Sequence, residues 1–321
     1  MGPEIAFVFA GLAILLFSGD LLVRGAVGMA YALKIPALAI GLTIVAFGTS
    51  APELFITVSA VLADAPGVAM GNIIGSNIAN VLLVLGAPAI IYPIRCTAPG
   101  LGRNAFAMLA ATALFAYFGY VGGALDAIRG VVLLAGLFAF LALTGLMVAS
   151  GRVKDAVTED LSDVEAAPRS GLKIAVFLAI GLIGLPLGAH VLVDNAASIA
   201  RELEIREEII GLTVVALGTS LPELATVIVA AFRRHAEVAL GNVVGSNLFN
   251  LLAVGGAAGV AGGAPFSPEA LAFDVPVMAA ASVALAIAIW ARWTIYRLLG
   301  LVFVTGYGVY IYLLGKEAGL I

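Results

Sequence analysis

Two glutamates stand alone in long uncharged, apolar stretches of this chain. Glu53 is the only ionisable residue between Ile35 and Ala63, and Glu223 the only one between Ile209 and Phe232. They lie 170 residues apart at matched positions of a repeat. GLTIVAFGTSAPEL and GNIIGSNIANVLLVLGA within 41–90 return as GLTVVALGTSLPEL and GNVVGSNLFNLLAVGGA within 211–260, without a gap and with 24 of 50 positions identical. The identities gather on Gly, Thr, Ser, Pro, Glu and Asn, whereas a duplicated packing unit would need only its apolar pattern kept. Matched carboxylates among hydroxyl and amide side chains point to a cation site. The bland alternative is a pair of protonated structural glutamates, which would have to arise twice at equivalent positions.

Pro52 and Pro222 precede the glutamates. Each removes a backbone donor and crowds the carbonyl four residues earlier, at Gly48 or Gly218, so the helix should kink or unwind there. Carbonyls freed at membrane depth are tolerated where they line a cavity, and there they are oxygen ligands for hard cations. Thr49 and Ser50, four and three residues before Glu53, would bring three oxygen-bearing side chains together near the break. Asn72, Ser76 and Asn80, repeated as Asn242, Ser246 and Asn250, form one stripe of the second signature helix. Beside it Gly71 and Gly75, repeated as Gly241 and Gly245, allow close helix contact. Interhelical hydrogen bonding competes with a ligand role for Asn72 and Asn242; Ser76, Asn80 and their mates read as ligands. This oxygen set, without Cys or His, suits Ca²⁺ or Na⁺ over zinc or copper. One Ca²⁺, two monovalent ions or two protons would neutralise the two carboxylates, so competing ions can be exchanged.

The elements that must hold these residues are membrane spans. Of 321 residues, 62% are hydrophobic and 11% charged, against about 45–50% and about 25% in soluble domains. Runs long enough to cross a bilayer fall at 5–23, 37–61, 67–92, 104–120, 127–149, 171–191, 208–230, 237–262, 272–290 and 297–314. The fold expected is all-α and integral to the membrane, with ten helices in two repeats of five. The first covers 1–149, and the second 171–321. The acidic, polar segment 150–170 reads as a solvated cytoplasmic linker, without the Gly and ligand spacing of an EF-hand loop. Of sixteen Lys and Arg, all but Arg129, Arg201, Arg206 and Lys316 fall in one set of loops, which places that set in the cytoplasm and both termini outside. Five spans per half then give the repeats opposite orientations. Inverted repeats around a midplane site are the plan of many secondary transporters.

Asp20, Asp194, Arg24 and His190 read as interfacial or structural groups near helix ends, and Trp290, Trp293 and Tyr296 as an interface belt. Cys96 is alone, which excludes a disulfide framework within the chain. No GxxxxGK[ST] occurs, so ATP hydrolysis is not expected. Neither a cofactor nor a nucleic-acid partner is expected.

GTSxPE followed by GNxxGSNxxN, twice and inverted, resembles the alpha-repeats of the cation/calcium exchanger superfamily, specifically prokaryotic sodium/calcium exchangers. The resemblance implies a Ca²⁺ site of Glu53, Glu223, Thr49, Thr219 and the carbonyls of Ala46 and Ala216, with Asn80 and Asn250 completing the centre. It implies Na⁺ sites at Ser50, Ser76, Ser220 and Ser246, and sliding of the first and sixth helices to switch access. Asn250 stands where some sodium/calcium exchangers carry an aspartate. Calcium/proton exchangers of the superfamily also use Glu and Asn at the centre, while GTSxPE and the Ser of each GSN favour sodium. The lipid bilayer and inorganic cations are the expected partners. One chain suffices to form the site, and a bacterial inner membrane is the expected location. A cation channel and an intramembrane protease are remoter readings. Channels usually ring an axis with several subunits, and the repeated Ser has no repeated His.

Overall fold

The computed structural model describes residues 2–149, 167–203 and 216–317. Its helices, in chain order, are α1 (Gly2–Leu33), α2 (Ala37–Thr49), α3 (Ala51–Leu62), α4 (Pro66–Ile91), α5 (Leu101–Gly122), α6 (Ala127–Ala149), α7 (Gly171–Glu202), α8 (Ala216–Thr219), α9 (Leu221–Phe232), α10 (Ala236–Ala261), α11 (Ala270–Trp290) and α12 (Arg297–Glu317). Among the described residues eight helices are long and apolar enough to cross a membrane, and α2 with α3, bent by 43°, make a ninth span. The remaining expected span, 208–230, is described only from 216 onward, as α8 and α9. Most of the linker, 150–166, lies outside the described residues.

Hydropathy marks where an apolar run ends rather than where a helix ends. α1 and α7 are each 32 residues long, about 48 Å at 1.5 Å per residue, well beyond the roughly 30 Å of hydrocarbon. They outrun the expected limits at 23 and 191 by about ten residues each. Asp20, Arg24 and His190 therefore sit inside helices, not near their ends. His190 is 3.3 Å from Asp194 one turn on, on an exposed face.

α1 and α7 pack antiparallel through glycines. A Cβ on Gly11 would stand 2.7 Å from the Leu192 nitrogen, and one on Gly181 would stand 2.6 Å from Leu22 Cβ. These contacts are images of each other under the 170-residue offset. Lipid offers no hydrophobic drive for helix association, so close backbone approach of this kind is what holds such a pair. α4 and α10 are the most enclosed spans. The outer helices turn Phe9, Phe17, Ile128, Phe138, Ile183 and Leu298 outward.

Two small antiparallel ladders break the all-helical pattern: β1 (Ile94–Arg95) with β4 (Thr294–Ile295), and β2 (Ala124–Leu125) with β3 (Ala264–Pro265). Ile94 faces Ile295, and Leu125 faces Ala264. Adding 170 to the first pair and taking it from its partner gives the second. The gap expected between the spans 104–120 and 127–149 is real: α5 stops at Gly122, and Gly123 takes φ 69°, a left-handed cap that glycine adopts without penalty. Trp290, Trp293 and Tyr296 are exposed around β4, as an interface belt requires.

Candidate cation site

Both signature helices break one residue before the segment that carries the glutamate. Ser50 has φ −88° and ψ 7°, and Ser220 has φ −88° and ψ 2°, the bridge region of backbone space. The helix stops at Thr49 or Thr219 and restarts at Ala51 or Leu221. Pro52 and Pro222 thereby become the second residues of α3 and α9, where the missing N–H has no intrahelical acceptor to lose. Glu53 and Glu223 fall in the first turn of these helices, whose exposed N–H groups favour negative charge.

The two breaks meet. Ser50 Oγ donates to Glu223 Oε1 at 2.9 Å, joining the first half to the carboxylate of the second. Spacing along one continuous helix turns Ser50 toward its own Glu53; the break rotates it across the interface instead. Thr49 Oγ1 is shared between the Ala46 carbonyl at 3.3 Å and Asn242 Oδ1 at 3.2 Å, on the opposite half. The Ala46 carbonyl also accepts the Ser50 N–H at 3.0 Å.

α4 and α10 supply the amides. Each contains a wide π turn, over Asn80–Leu85 and Asn250–Val254, that opens on the candidate ligand; such turns are frequent at functional sites. The Asn80 turn packs against α9 and the Asn250 turn against α3, so each amide stands beside the glutamate helix of the other half. Gly241 and Gly245 allow the approach: a Cβ on either would come within 2.9 Å of Leu38 O or of Leu42 O and Ala46 Cβ. The positions equivalent to Leu38 and Leu42 that would face Gly71 and Gly75, 208 and 212, lie outside the described residues.

Glu53, Glu223, Asn80 and Asn250 are 1% exposed or less. Both carboxylate oxygens of Glu53, Glu223 Oε2, both side-chain polar atoms of Asn80 and Asn250, and the hydroxyls of Ser220 and Ser246 have no protein hydrogen-bond partner. Unsatisfied buried polar atoms are normally few and scattered. Gathered here, they form a set of hard oxygens suited to an alkali or alkaline-earth cation. Among the described residues no three His, Cys, Asp or Glu side chains converge. Ser76 is buried on the same stripe, Thr219 is half-buried, and Ala216 opens α8.

Asn72 settles on the packing role. Its Nδ2 donates to the Glu53 carbonyl at 3.2 Å and to Thr57 Oγ1 at 2.8 Å, tying α4 to the start of α3. The sequence reading passed over Thr57, which has Val227 as its mate, and Thr226, which donates to the Pro222 carbonyl at 2.8 Å and has Ile56 as its mate. It also gave no role to Asn77 and Asn247, although both stand in the repeated motif. Asn247 Nδ2 donates to the carbonyl of Asn77 at 3.4 Å, so the two halves touch at equivalent residues.

Membrane-length helices around an oxygen-lined carboxylate pair define a multi-pass transporter of inorganic cations. The family model described as sodium/calcium exchanger protein matches residues 4–146 and 173–316, and the chain belongs to that family of antiporters. Sodium/calcium exchanger MaX1 of Methanosarcina acetivorans is 31% identical over 336 residues, 95% of this chain and 96% of that protein. Inner membrane protein YrbG of Escherichia coli is 34% identical over 291 residues, 89% of each chain. The solved structure of the sodium-calcium exchanger NCX_Mj superposes with a TM-score of 0.82 at 32% identity, covering 96% of this chain and 97% of that one.

Proposed function

We propose that this chain exchanges Ca²⁺ for Na⁺ by alternating access at one centre shared between its halves. Glu53, Glu223, Thr49, Thr219, Asn80, Asn250 and the carbonyls of Ala46 and Ala216 hold Ca²⁺. Ser50, Ser76, Ser220 and Ser246 serve the Na⁺ sites beside it. The observation that carries this reading is the cluster of unpartnered oxygens on Glu53, Glu223, Asn80, Asn250, Ser220 and Ser246, in which the glutamates and asparagines form matched pairs from both halves. Ca²⁺ cancels the two carboxylate charges, and Na⁺ arriving at the neighbouring hydroxyls offers the same neutralisation, which makes occupancy by the two ions competitive.

The architecture proposed is ten spans in two inverted repeats, and alternating access is its use. Antiparallel packing of α1 on α7 through offset-related contacts supports an axis in the membrane plane. So do the two offset-related ladders. The name of the Escherichia coli relative supports an inner-membrane location.

A calcium/proton antiporter is the second reading, favoured by the symmetric pairing of one Glu and one Asn per half. ⁴⁵Ca²⁺ uptake into proteoliposomes loaded with Na⁺ and diluted into Na⁺-free medium tests the two. Uptake that requires internal Na⁺ supports the sodium reading; uptake driven only by a pH gradient replaces it with the proton reading.

A further inference from the structure

Asn242 is the second-half mate of Asn72, yet the two amides are used differently. Asn72 Nδ2 is committed twice, to the Glu53 carbonyl and to Thr57 Oγ1. Val227 stands where the second half would need that hydroxyl, and the adjacent Thr226 donates within its own helix, to the Pro222 carbonyl. Among the described residues Asn242 Nδ2 has no hydrogen-bond partner, although the residue is 0% exposed. Asn242 therefore does not tie α10 to α9 as Asn72 ties α4 to α3. A buried donor without a partner is costly, and an apolar side chain of similar size would avoid that cost, so packing alone does not account for an asparagine here. The bond Asn242 does make crosses between the halves: its Oδ1 accepts from Thr49 Oγ1 at 3.2 Å.

That bond decides where one proton goes. A threonine hydroxyl has a single proton and two lone pairs. Thr49 divides its proton between Asn242 Oδ1 at 3.2 Å and the Ala46 carbonyl at 3.3 Å, both longer than the usual ~2.8 Å of an O–H···O bond. The Ala46 carbonyl already accepts the Ser50 N–H at 3.0 Å, which uses one of its two lone pairs. With the Thr49 proton on the second, the carbonyl has none left for a cation. With the proton on Asn242, that lone pair is open, and the Thr49 oxygen still has its own to offer. The seating of α10 holds Asn242 to this task. A Cβ on Gly241 would stand 2.9 Å from Leu38 O, and one on Gly245 2.7 Å from Ala46 Cβ, so α10 lies close against α2 up to the turn that carries Thr49.

We infer that Asn242 is a positioning residue for Ca²⁺: it draws the Thr49 proton away from the Ala46 carbonyl and so opens two ligands at once. The inference rests on the proposed roles of Thr49 and Ala46 as Ca²⁺ ligands. Asn242 acts through Thr49 rather than on the ion, and it does so from the half opposite to both ligands.

Thermal unfolding of the full-length purified chain in detergent, titrated with Ca²⁺, tests this with two readouts. The cation-free midpoint reports stability, and its rise with Ca²⁺ reports the apparent Kd. Asn242→Leu should weaken Ca²⁺ binding about tenfold, the upper range for one neutral hydrogen bond. Its cation-free midpoint should hold or rise, because the variant also removes an unpartnered donor. Asn242→Asp keeps the size and the acceptor, and should bind Ca²⁺ at least as tightly as the unmodified chain; it carries the test if the Leu variant does not fold. Thr49→Val supplies the discriminating background. With no proton to steer, adding Asn242→Leu should weaken binding by no more than about twofold further. A tenfold further loss in that background would overturn the inference, as would full affinity in Asn242→Leu alone or a tenfold loss in Asn242→Asp. Full affinity in Thr49→Val has a different meaning: it would remove Thr49 from the proposed Ca²⁺ ligands, and the inference would fall with that reading.

Discussion

Glu53 presents two buried carboxylate oxygens to no protein donor, which supports the proposed transport role over that of a structural glutamate. A structural glutamate loses its hydrogen bonds when changed to Gln, and the protein weakens. An unpartnered one loses only its desolvation penalty, since leaving a buried charge unpaired is what costs free energy. Glu53→Gln should therefore leave the midpoint of thermal unfolding in cation-free detergent unchanged or higher, while Ca²⁺ uptake falls by more than roughly 100-fold, removal of one partner from a buried charge pairing being worth about 3–5 kcal/mol. Glu223→Gln should show the same loss of uptake. A fall in stability with uptake near normal would return both residues to a structural role. Asn72 makes the opposite prediction. Asn72→Leu strips the Glu53 carbonyl and the Thr57 hydroxyl of their donor, so unfolding should become easier by about 1–3 kcal/mol, read as a lower denaturation midpoint. At this scale the sequence exposed the carboxylates and the matched Ser and Asn because the repeat marked them twice. Thr57 and Thr226 escaped because neither has a matching Thr in the other half. The Ser50–Glu223 bond escaped because spacing along one helix says nothing of a partner 173 residues away.

Among the helices, small residues decide how closely elements approach, and the glycine stripes were legible for that reason. Their exact contacts were not. Gly241→Ala would push a methyl against Leu38 O at 2.9 Å and the Gly41 Cα at 3.2 Å, contacts made by backbone that cannot step aside. The expected result is destabilisation of about 1–3 kcal/mol, with reduced uptake because α10 carries Asn250. Gly67→Ala, in the first turn of α4, meets no described atom within 4 Å and should be neutral or stabilising by up to about 1 kcal/mol through reduced unfolded-chain freedom. Denaturation of the two variants side by side in one detergent checks the contrast; equal behaviour would mean that the α2–α10 contact is not tight. The ends of α1 and α7 were misread for a different physical reason. Charged residues can continue a helix beyond the hydrocarbon, so an apolarity window stops before the hydrogen bonding does. Asp20, inside the expected span, reaches Arg233 in an ion pair that links α1 to the turn after α9. Neither the wide turns at Asn80 and Asn250 nor the two-residue ladders leave a periodic signal. Both emerge only once the halves are packed together.

For the molecule as a whole, exchange at one centre depends on which side each half faces. The turns after α3 and α9 are built alike: Asp64 and Arg234 both take left-handed φ, 57° and 62°, and their neighbours close matching hydrogen bonds, Ala65 N–H to Ala60 O and His235 N–H to Ala230 O, each at 2.8 Å. Their charges differ. The first turn, LADAPG at 62–67, has no Lys or Arg, and the second, FRRHAE at 232–237, has two arginines. One backbone form carrying opposite charge signatures is what a duplicated unit shows when its copies face opposite compartments under the positive-inside rule. Asp64→Cys and Arg234→Cys, made separately, test this at equivalent backbone positions and with the same conformational cost. The native Cys96 does not interfere, because it is buried and its burial pushes the thiol up to about 12, so near neutral pH the reactive thiolate is scarce. A membrane-impermeant maleimide added to intact cells should label the cysteine at 64 and reach the one at 234 only after permeabilisation. Labelling of both from outside would put the two turns on one face, remove the in-plane axis, and leave alternating access without the symmetry that lets one centre open to either side.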